Sequence, residues 1–320
     1  MSGPVKQEPA GESPRLSGTP AVHGREDVSA SPLRLGLLAW GVGRPAGLDD
    51  YARTLDARVA EAAGAGAQLL VMPEYACVEA ASAFVAEPDV GAELDAVTAV
   101  TGPLLDAMRE AAVRHRVWLL PGSLPVRAHG RTLNRAPLIA PDGRMGFQDK
   151  RVMTRFETEF WRVSPGADPG VFDTPWGRIG VAICYDVEFP PLVRAQVDAG
   201  AWLILVPSCT DTVAGFNRVR LSCRARALEN QCYVAMAPTV GTAPWLGTLD
   251  ANRGYAAAFG PVDRGFPEDG VLARGALDQP GWVYVDLDPA RLERVRHDGG
   301  VLNHRDWPPP PGPCRVIEPA

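Results

Sequence analysis

Short apolar runs alternate along this chain with longer amphipathic stretches, and several of the runs end abruptly at a polar residue. Residues 33–40 and 68–72 have the continuous apolar character of buried strands, whereas residues 48–63 show the spacing of a helix with one apolar face. The turn signal Pro141-Asp142-Gly143 predicts a hairpin. Strand–helix alternation mixed with hairpins predicts an α/β layered fold with a mixed sheet.

The same patterns assign the other elements and divide the chain into three parts. Further helices are predicted at residues 93–115, 191–199 and 218–229, and further strands at 117–120, 133–140, 145–148, 170–173, 178–183, 202–206, 232–237, 254–259 and 282–285. Residues 1–31 are rich in Pro, Gly and Ser and lack the apolar centre of a secretory signal. We therefore expect a disordered N-terminal tail (1–31), one domain (32–300) and a Pro-rich C-terminal tail (301–320) that lies on the surface or on a neighbouring molecule.

Composition excludes several classes of function. The net charge of -6 gives no basic surface for nucleic acid, so no nucleic-acid partner is expected. No apolar run approaches the roughly 18 residues that a membrane-spanning helix needs, so no membrane partner is expected either. Six cysteines in 320 residues, with no export signal, indicate a reducing compartment and a cytoplasmic protein.

Three segments place a chemically useful side chain directly after a predicted strand. Glu74 follows Leu69-Leu-Val-Met-Pro, Lys150 follows Phe147-Gln-Asp, and Cys184 closes Ile179-Gly-Val-Ala-Ile. Strand ends are where α/β folds place their sites. Each residue taken alone also has a plain structural explanation: Glu74 as a turn residue, Lys150 as a surface lysine and Cys184 as a core filler.

Cys184 differs from an ordinary core cysteine in the residues on its C-terminal side. The change to Tyr185-Asp186 brings the chain to the surface and predicts an exposed elbow, where a helix N-terminus would favour the thiolate. A cysteine nucleophile needs a base and an oxyanion partner. The five histidines lie in polar or terminal segments, so a glutamate and a lysine are the better candidates.

These three segments resemble the Glu-Lys-Cys triad of the nitrilase superfamily of carbon–nitrogen hydrolases. The resemblance covers roughly residues 33–290 and includes the runs 164–166, 172–177, 206–208 and 224–230. It implies a four-layer α-β-β-α sandwich with mixed sheets and a homodimer or higher homo-oligomer. It also implies a second glutamate, which we place at Glu159 in preference to Glu157.

The resemblance implies a mechanism as well. Glu74 takes the proton of Cys184 as sulfur attacks the carbonyl, while the Lys150 ammonium and the backbone N–H of Tyr185 hold the oxyanion. Glu159 orients Lys150 and the substrate amide. Thiol, acid and ammonium supply every proton and charge, so neither a metal nor an organic cofactor is expected. The partners are then a small amide and water.

The substrate is less well defined by the sequence. Cys184-Tyr-Asp186 looks more like the amidase and carbamoylase branches than the true nitrilases, so a small amide or N-carbamoyl compound is expected, with a nitrile and a non-catalytic scaffold as alternatives. Glu188 stands where many relatives carry an arginine, which favours a neutral or cationic amide over an anionic one. Arg218 (or Arg220) and Trp245 are further candidates for substrate binding, because the helix and the long loop that carry them are expected to line the pocket.

Overall fold

A computed structural model describes residues 32–309 and 311–317; the predicted N-terminal tail, residues 1–31, lies outside the described residues. The strands are β1 Leu33–Gly41, β2 Leu69–Val71, β3 Trp118–Leu120, β4 Leu124–Ala128, β5 Arg131–Ile139, β6 Met145–Asp149, β7 Val171–Thr174, β8 Gly177–Val181, β9 Ala201–Ser208, β10 Tyr233–Thr242, β11 Ala251–Asn252, β12 Ala257–Phe259, β13 Val271–Arg274 and β14 Gly281–Leu287. The α-helices are α1 Leu48–Gly64, α2 Val90–Ala99, α3 Thr101–His115, α4 Arg155–Glu159, α5 Pro190–Asp198, α6 Val213–Asn230 and α7 Pro289–Asp298. Two 3-10 helices span Ala76–Ala83 and Cys184–Glu188.

The strands form two sheets that meet where β1 pairs with β10. One sheet has the order β4-β5-β3-β2-β1, with β6 on β5 and β14 on β1; the other has the order β10-β9-β8-β7, with β12 on β10 and β13 on β12. Pairing is parallel among β1, β2 and β3 and among β8, β9 and β10, and antiparallel in the hairpins. The predicted mixed sheet is therefore confirmed.

Alternation along β1 shows how the layers are built. Leu35 and Leu37 belong to the core shared with the second sheet, whereas Leu38 and Trp40 pack with α1 and α3 on the other face. Helices α5 and α6 cover the second sheet through residues such as Val193 and Val219. The result is helix, sheet, sheet and helix in four layers, as the family resemblance implied.

One predicted helix is wrong in its extent. Residues 93–115 form two helices that meet at Val100, whose backbone (φ -112, ψ 18) is not helical. The signal for this break is Pro103, because a proline is tolerated in the first turn of a helix but not in the interior of a longer one. The sequence patterns also missed α7 and β4.

The segment after α7 lies against its own domain. The backbone N–H of His304 donates to Gln231 Oε1 over 3.1 Å, and the Arg194 guanidinium lies 4.6 Å from the ring centre of Trp307. Residues around Trp307 are thus held at the surface beside α5 and the end of α6. No helix among the described residues has the length and apolar character to cross a membrane.

Candidate active site

Glu74 is held at the end of β2 by a close crossing of two loops. The backbone N–H of Tyr75 donates to Ser123 O over 2.9 Å, and Glu74 pairs with Ser123 in an isolated bridge. Gly122 makes this approach possible: it has φ +89, and a Cβ there would lie 1.8 Å from Pro73 O. Tyr75 itself has φ 59, a conformation that costs a non-glycine residue about 1–3 kcal/mol.

Lys150 follows β6 directly and is fixed from both sides. Its N–H donates to Asn134 O over 2.8 Å, and its carbonyl accepts from the N–H of Gly166 over 2.9 Å. A Cβ on Gly166 would lie 2.2 Å from the Cβ of Asp149. The glycine of the Ser164-Pro165-Gly166 run therefore lets this loop pack against the backbone that carries the lysine.

Cys184 lies just beyond the end of β8 and begins a 3-10 helix. Its φ of 48 turns the chain sharply, so the predicted elbow is present and strained. The expectation of an exposed thiol is wrong, because Cys184 is only 4% exposed within the core. Asp186 ties this helix to the lysine segment: its carboxylate accepts from the N–H groups of Arg151 (3.0 Å) and Val152 (2.7 Å).

The three strand ends bring their side chains together in one buried cluster. Lys150 Nζ lies 2.8 Å from Glu74 Oε1 and 2.7 Å from Glu157 Oε2. The amide of Asn134, in the middle of β5, donates to both carboxylates, over 2.8 Å to Glu74 and 3.0 Å to Glu157. All four side chains are almost completely buried.

The second glutamate beside Lys150 is Glu157, so the preference for Glu159 is wrong. Glu159 is 48% exposed and pairs with Arg155 at the surface. Glu157 is turned inward because it is the third residue of α4: Thr154 caps the helix, and the Glu157 carboxylate accepts from Thr154 N over 2.9 Å. This capping box has a sequence signature, Thr followed three residues later by Glu, which distinguishes the two candidates.

Glu74 also contacts the segment that leads into α6. Its Oε2 accepts from Cys209 N over 3.1 Å, and the carbonyl of Cys209 lies 3.6 Å from Cys184 Sγ. Glu74 and Cys184 are close enough that each affects the pKa of the other. One oxygen of Glu74 thus contacts the lysine, and the other contacts the N–H of Cys209, whose carbonyl lies beside the thiol.

The charges of the cluster differ because burial and partners act in opposite directions. Burial raises the pKa of Cys184 well above its ordinary value, and the neighbouring Glu74 carboxylate raises it further. Burial also raises the pKa of Glu74, although Lys150 opposes the shift. For Glu157 burial is outweighed by Lys150 and its hydrogen bonds, so its pKa is lowered. For Lys150 burial is outweighed by the two carboxylates, so its pKa is raised. The resting site holds a neutral thiol and a charged ammonium.

The remaining candidate residues lie around the cluster and not in it. Glu188, at the end of the 3-10 helix, lies 3.7 Å from Arg218, while Arg220 donates to Asn217. Trp245 Nε1 donates to Gly43 O over 3.2 Å, which holds the 243–250 loop against the segment after β1. Sequence reasoning missed Asn134 altogether, since an Asn in the middle of a strand carries no local signal.

Across residues 32–309 and 311–317, no three His, Cys, Asp or Glu side chains are grouped so as to hold a metal ion. The buried cluster itself offers a thiol, two carboxylates and an ammonium group.

Comparison with known proteins identifies the family to which this chain belongs. The sequence model described as carbon-nitrogen hydrolase matches residues 43–296. The chain belongs to the carbon–nitrogen hydrolase family. The family resemblance, the nitrilase-like fold and the predicted class of enzyme, a carbon–nitrogen hydrolase, are thereby confirmed.

Curated relatives and solved structures extend the comparison. The probable hydrolase YhcX of Bacillus subtilis is 32% identical over 87% of this chain, which spans only 54% of that protein. Omega-amidase NIT2-B of Xenopus laevis is 30% identical over 77% of this chain and 86% of its own length. A variant of the amidase from Nesterenkonia sp. AN1 superposes with a TM-score of 0.65 at 26% identity, over 87% of this chain and 97% of that one. In that structure the acetamide moiety of fluoroacetamide is covalently attached to the active-site cysteine.

Proposed function

We propose that this protein hydrolyses the carbon–nitrogen bond of a small amide through a thioester on Cys184, with Glu74 as base, Lys150 as oxyanion partner and Glu157 as the residue that positions Lys150. The observation that carries the proposal is the contact of one buried ammonium with two buried carboxylates, one of which also faces a buried thiol. A non-catalytic scaffold has no need for such a cluster, because burying these charges costs stability.

The reaction follows from the positions of the protons. Glu74 accepts the thiol proton while sulfur bonds to the amide carbon, and the negative charge moves to the carbonyl oxygen. When the carbon–nitrogen bond breaks, the same proton passes from Glu74 to the departing nitrogen, which leaves as ammonia or an amine. Water then attacks the thioester and gives a proton to Glu74; this proton returns to sulfur as the acid product leaves.

Lys150 is suited to hold the oxyanion. An ammonium group has three N–H donors, and in the described part of the chain two of them are used by Glu74 and Glu157. The third is free for the oxygen of the tetrahedral intermediate. The N–H of Tyr185 is the second proposed donor, since the first N–H groups of a helix have no partner within it. Each such donor contributes about 3 kcal/mol to transition-state stabilisation.

An amide substrate is supported by the relatives as well as by Cys184-Tyr-Asp186. The Xenopus relative is an omega-amidase, and the Nesterenkonia enzyme is an amidase whose active-site cysteine carries the acetamide moiety. A panel of small amides, N-carbamoyl compounds and nitriles, scored by ammonia release, tests this class directly. We expect turnover of amides above that of nitriles; turnover of nitriles alone would refute the amide assignment.

The nucleophile is tested by Cys184→Ala, with Cys223→Ala as the matched control, because both thiols are free and buried. We expect turnover to be abolished by the first substitution and kept by the second. In the unmodified protein, a slowly hydrolysed amide should add the mass of its acyl group to the peptide that contains Cys184. Retained turnover in Cys184→Ala contradicts the mechanism.

We also propose a homodimer in the cytoplasm. Leu221 and Leu228 are exposed one heptad apart on α6, beside exposed Val262, which supports self-association through this face. All six cysteines are free, which supports a reducing compartment. Light scattering of the protein and of Leu221→Glu tests the dimer: we expect the substitution to halve the mass.

A further inference from the structure

Glu188 ends the 3-10 helix that begins at the proposed nucleophile, Cys184. Side chains three residues apart eclipse each other in such a helix, so Glu188 shares a face with Tyr185, the residue after Cys184. Both are partly exposed, whereas Cys184 and Val187 are buried. The Lys150 ammonium is near enough to Glu188 to lower the pKa of its carboxyl, although burial makes the net shift upward. Glu188 therefore lies at the rim of the site.

The partner of Glu188 holds it only loosely. Arg218 Nε lies 3.7 Å from Glu188 Oε1, which is too far for a hydrogen bond. The Arg218 side chain is 64% exposed, whereas that of Glu188 is 18% exposed. The acid is thus the fixed member of the pair, and the guanidinium is free to move when a second cation arrives.

The charges behind Glu188 favour a cation as well. Lys150 is held between Glu74 and Glu157, so the buried cluster carries more acidic than basic groups. The whole chain has a net charge of -6. An anionic substrate would have to separate Glu188 from Arg218 and approach this negative cluster. A cationic group of the substrate would instead take the place of Arg218 and bind the Glu188 carboxylate at a shorter distance.

We propose that Glu188 binds a cationic group of the substrate, so that the preferred amides carry an ammonium group near the scissile carbonyl. This inference rests on the proposed function and names its substrate class. Glu188 lies only four residues after Cys184 in the same short helix, so we expect a short aliphatic spacer between the ammonium and the carbonyl.

Three amides of matched size test the assignment: 4-aminobutyramide, butyramide and succinamate, which are cationic, neutral and anionic. Dissociation constants are measured by calorimetry in the Cys184→Ala protein, where no turnover interferes. We expect 4-aminobutyramide to bind about tenfold more tightly than butyramide, the effect of one charge-assisted hydrogen bond. Adding Glu188→Gln should remove this preference, and adding Glu188→Lys should reverse it in favour of succinamate.

Glu159→Gln is the matched control, because Glu159 is also paired with an arginine but lies at the surface away from the cluster. It should leave the ratio of the three affinities unchanged. Equal binding of the three amides, or a preference for the cation that survives Glu188→Gln, overturns the assignment. Preference for succinamate that is lost in Arg218→Gln assigns the rim to Arg218 instead. If the unmodified protein hydrolyses none of the three, the proposed function fails for these amides while the affinities still report on Glu188.

Discussion

Replacing Glu157 by Gln tests whether the buried cluster needs an ionised carboxylate at this position. The carboxylate accepts five hydrogen bonds: Oε1 from Tyr75 Oη (2.8 Å) and Asn134 Nδ2 (3.0 Å), and Oε2 from Lys150 Nζ (2.7 Å), Thr154 N (2.9 Å) and Thr154 Oγ1 (2.9 Å). Both oxygens therefore face donors. Only an ionised carboxylate, which is acceptor-only, satisfies both positions at once.

The magnitude is set by the hydrogen bonds that glutamine cannot make. Its amide must turn an NH₂ group toward one of the two sets of donors, which leaves buried donors without an acceptor and leaves the Lys150 charge with Glu74 alone. Breaking a buried ion pair from one side costs about 3–5 kcal/mol. We expect the free energy of unfolding to fall by that amount. We also expect kcat/KM to fall by about 10²–10³, comparable to the loss of one oxyanion donor, because Lys150 is no longer held in place.

Urea denaturation at pH 7 gives the free energy of unfolding, and ammonia release gives kcat/KM. Glu159→Gln is the control, since its carboxylate pairs at the surface with Arg155, and its free energy of unfolding should change by less than about 1 kcal/mol. If Glu157→Gln unfolds with the stability of the unmodified protein and keeps its activity, the positioning role is refuted. If Glu159→Gln is the more damaging of the two, the structural choice between them is refuted as well.

Two further predictions concern protons. Burial raises the pKa of Glu74, and the base must be ionised, so kcat/KM should fall as the pH decreases through a pKa above 4.5. Burial also raises the pKa of Asp186 to about 6, so Asp186→Asn is the control. The decrease in kcat/KM at low pH should persist in that variant, and a decrease that disappears there belongs to Asp186. Burial raises the pKa of Glu79 to about 7, against an ordinary 4.5, so the folded state keeps this proton longer than the unfolded state, and the associated stability is full below pH 4.5 and lost as pH rises through 7. Between pH 5 and pH 8 the free energy of unfolding should therefore fall by roughly 2–3 kcal/mol more in the unmodified protein than in Glu79→Gln. The single amide oxygen of the glutamine can still accept from Trp40 Nε1 and Gly43 N, so the variant keeps these contacts. Parallel pH profiles of the free energy of unfolding in the two proteins would contradict this assignment.

The sequence predicted the three strand ends that carry the proposed catalytic residues because their signals are local. Glu74 and Cys184 each come after an apolar run that ends a strand with parallel neighbours, and such a strand delivers the residues that follow it to the sheet's edge. Lys150 comes directly after β6, which pairs antiparallel with β5. The patterns could not supply the backbone that turns each side chain inward. Tyr75 and Cys184 both have positive φ (59 and 48), which no propensity favours and which only the surrounding packing enforces.

The choice between Glu157 and Glu159 shows a different kind of limit. Both glutamates lie in one short segment, and the family resemblance led us to prefer the wrong one. Thr154 and Glu157 have the spacing of a capping box, so the orientation of α4 was available from local physics. Asn134 is different: it contacts both carboxylates only because of where β5 lies in the sheet, and that placement is a property of the whole fold.

The two buried carboxylates are distinguished by the directions of their pKa shifts. Both contact Lys150, yet the pKa of Glu157 is lowered and that of Glu74 is raised, because burial is outweighed by Lys150 and by Thr154 and Tyr75 at the first and not at the second. A carboxylate whose pKa is raised is the stronger base and accepts a proton more readily, while one whose pKa is lowered keeps its charge. In the proposed mechanism Glu157 therefore keeps its charge and neutralises Lys150, and Glu74 takes the proton of Cys184. When it does so, the negative charge moves toward sulfur and the carbonyl oxygen, where the lysine is already in place.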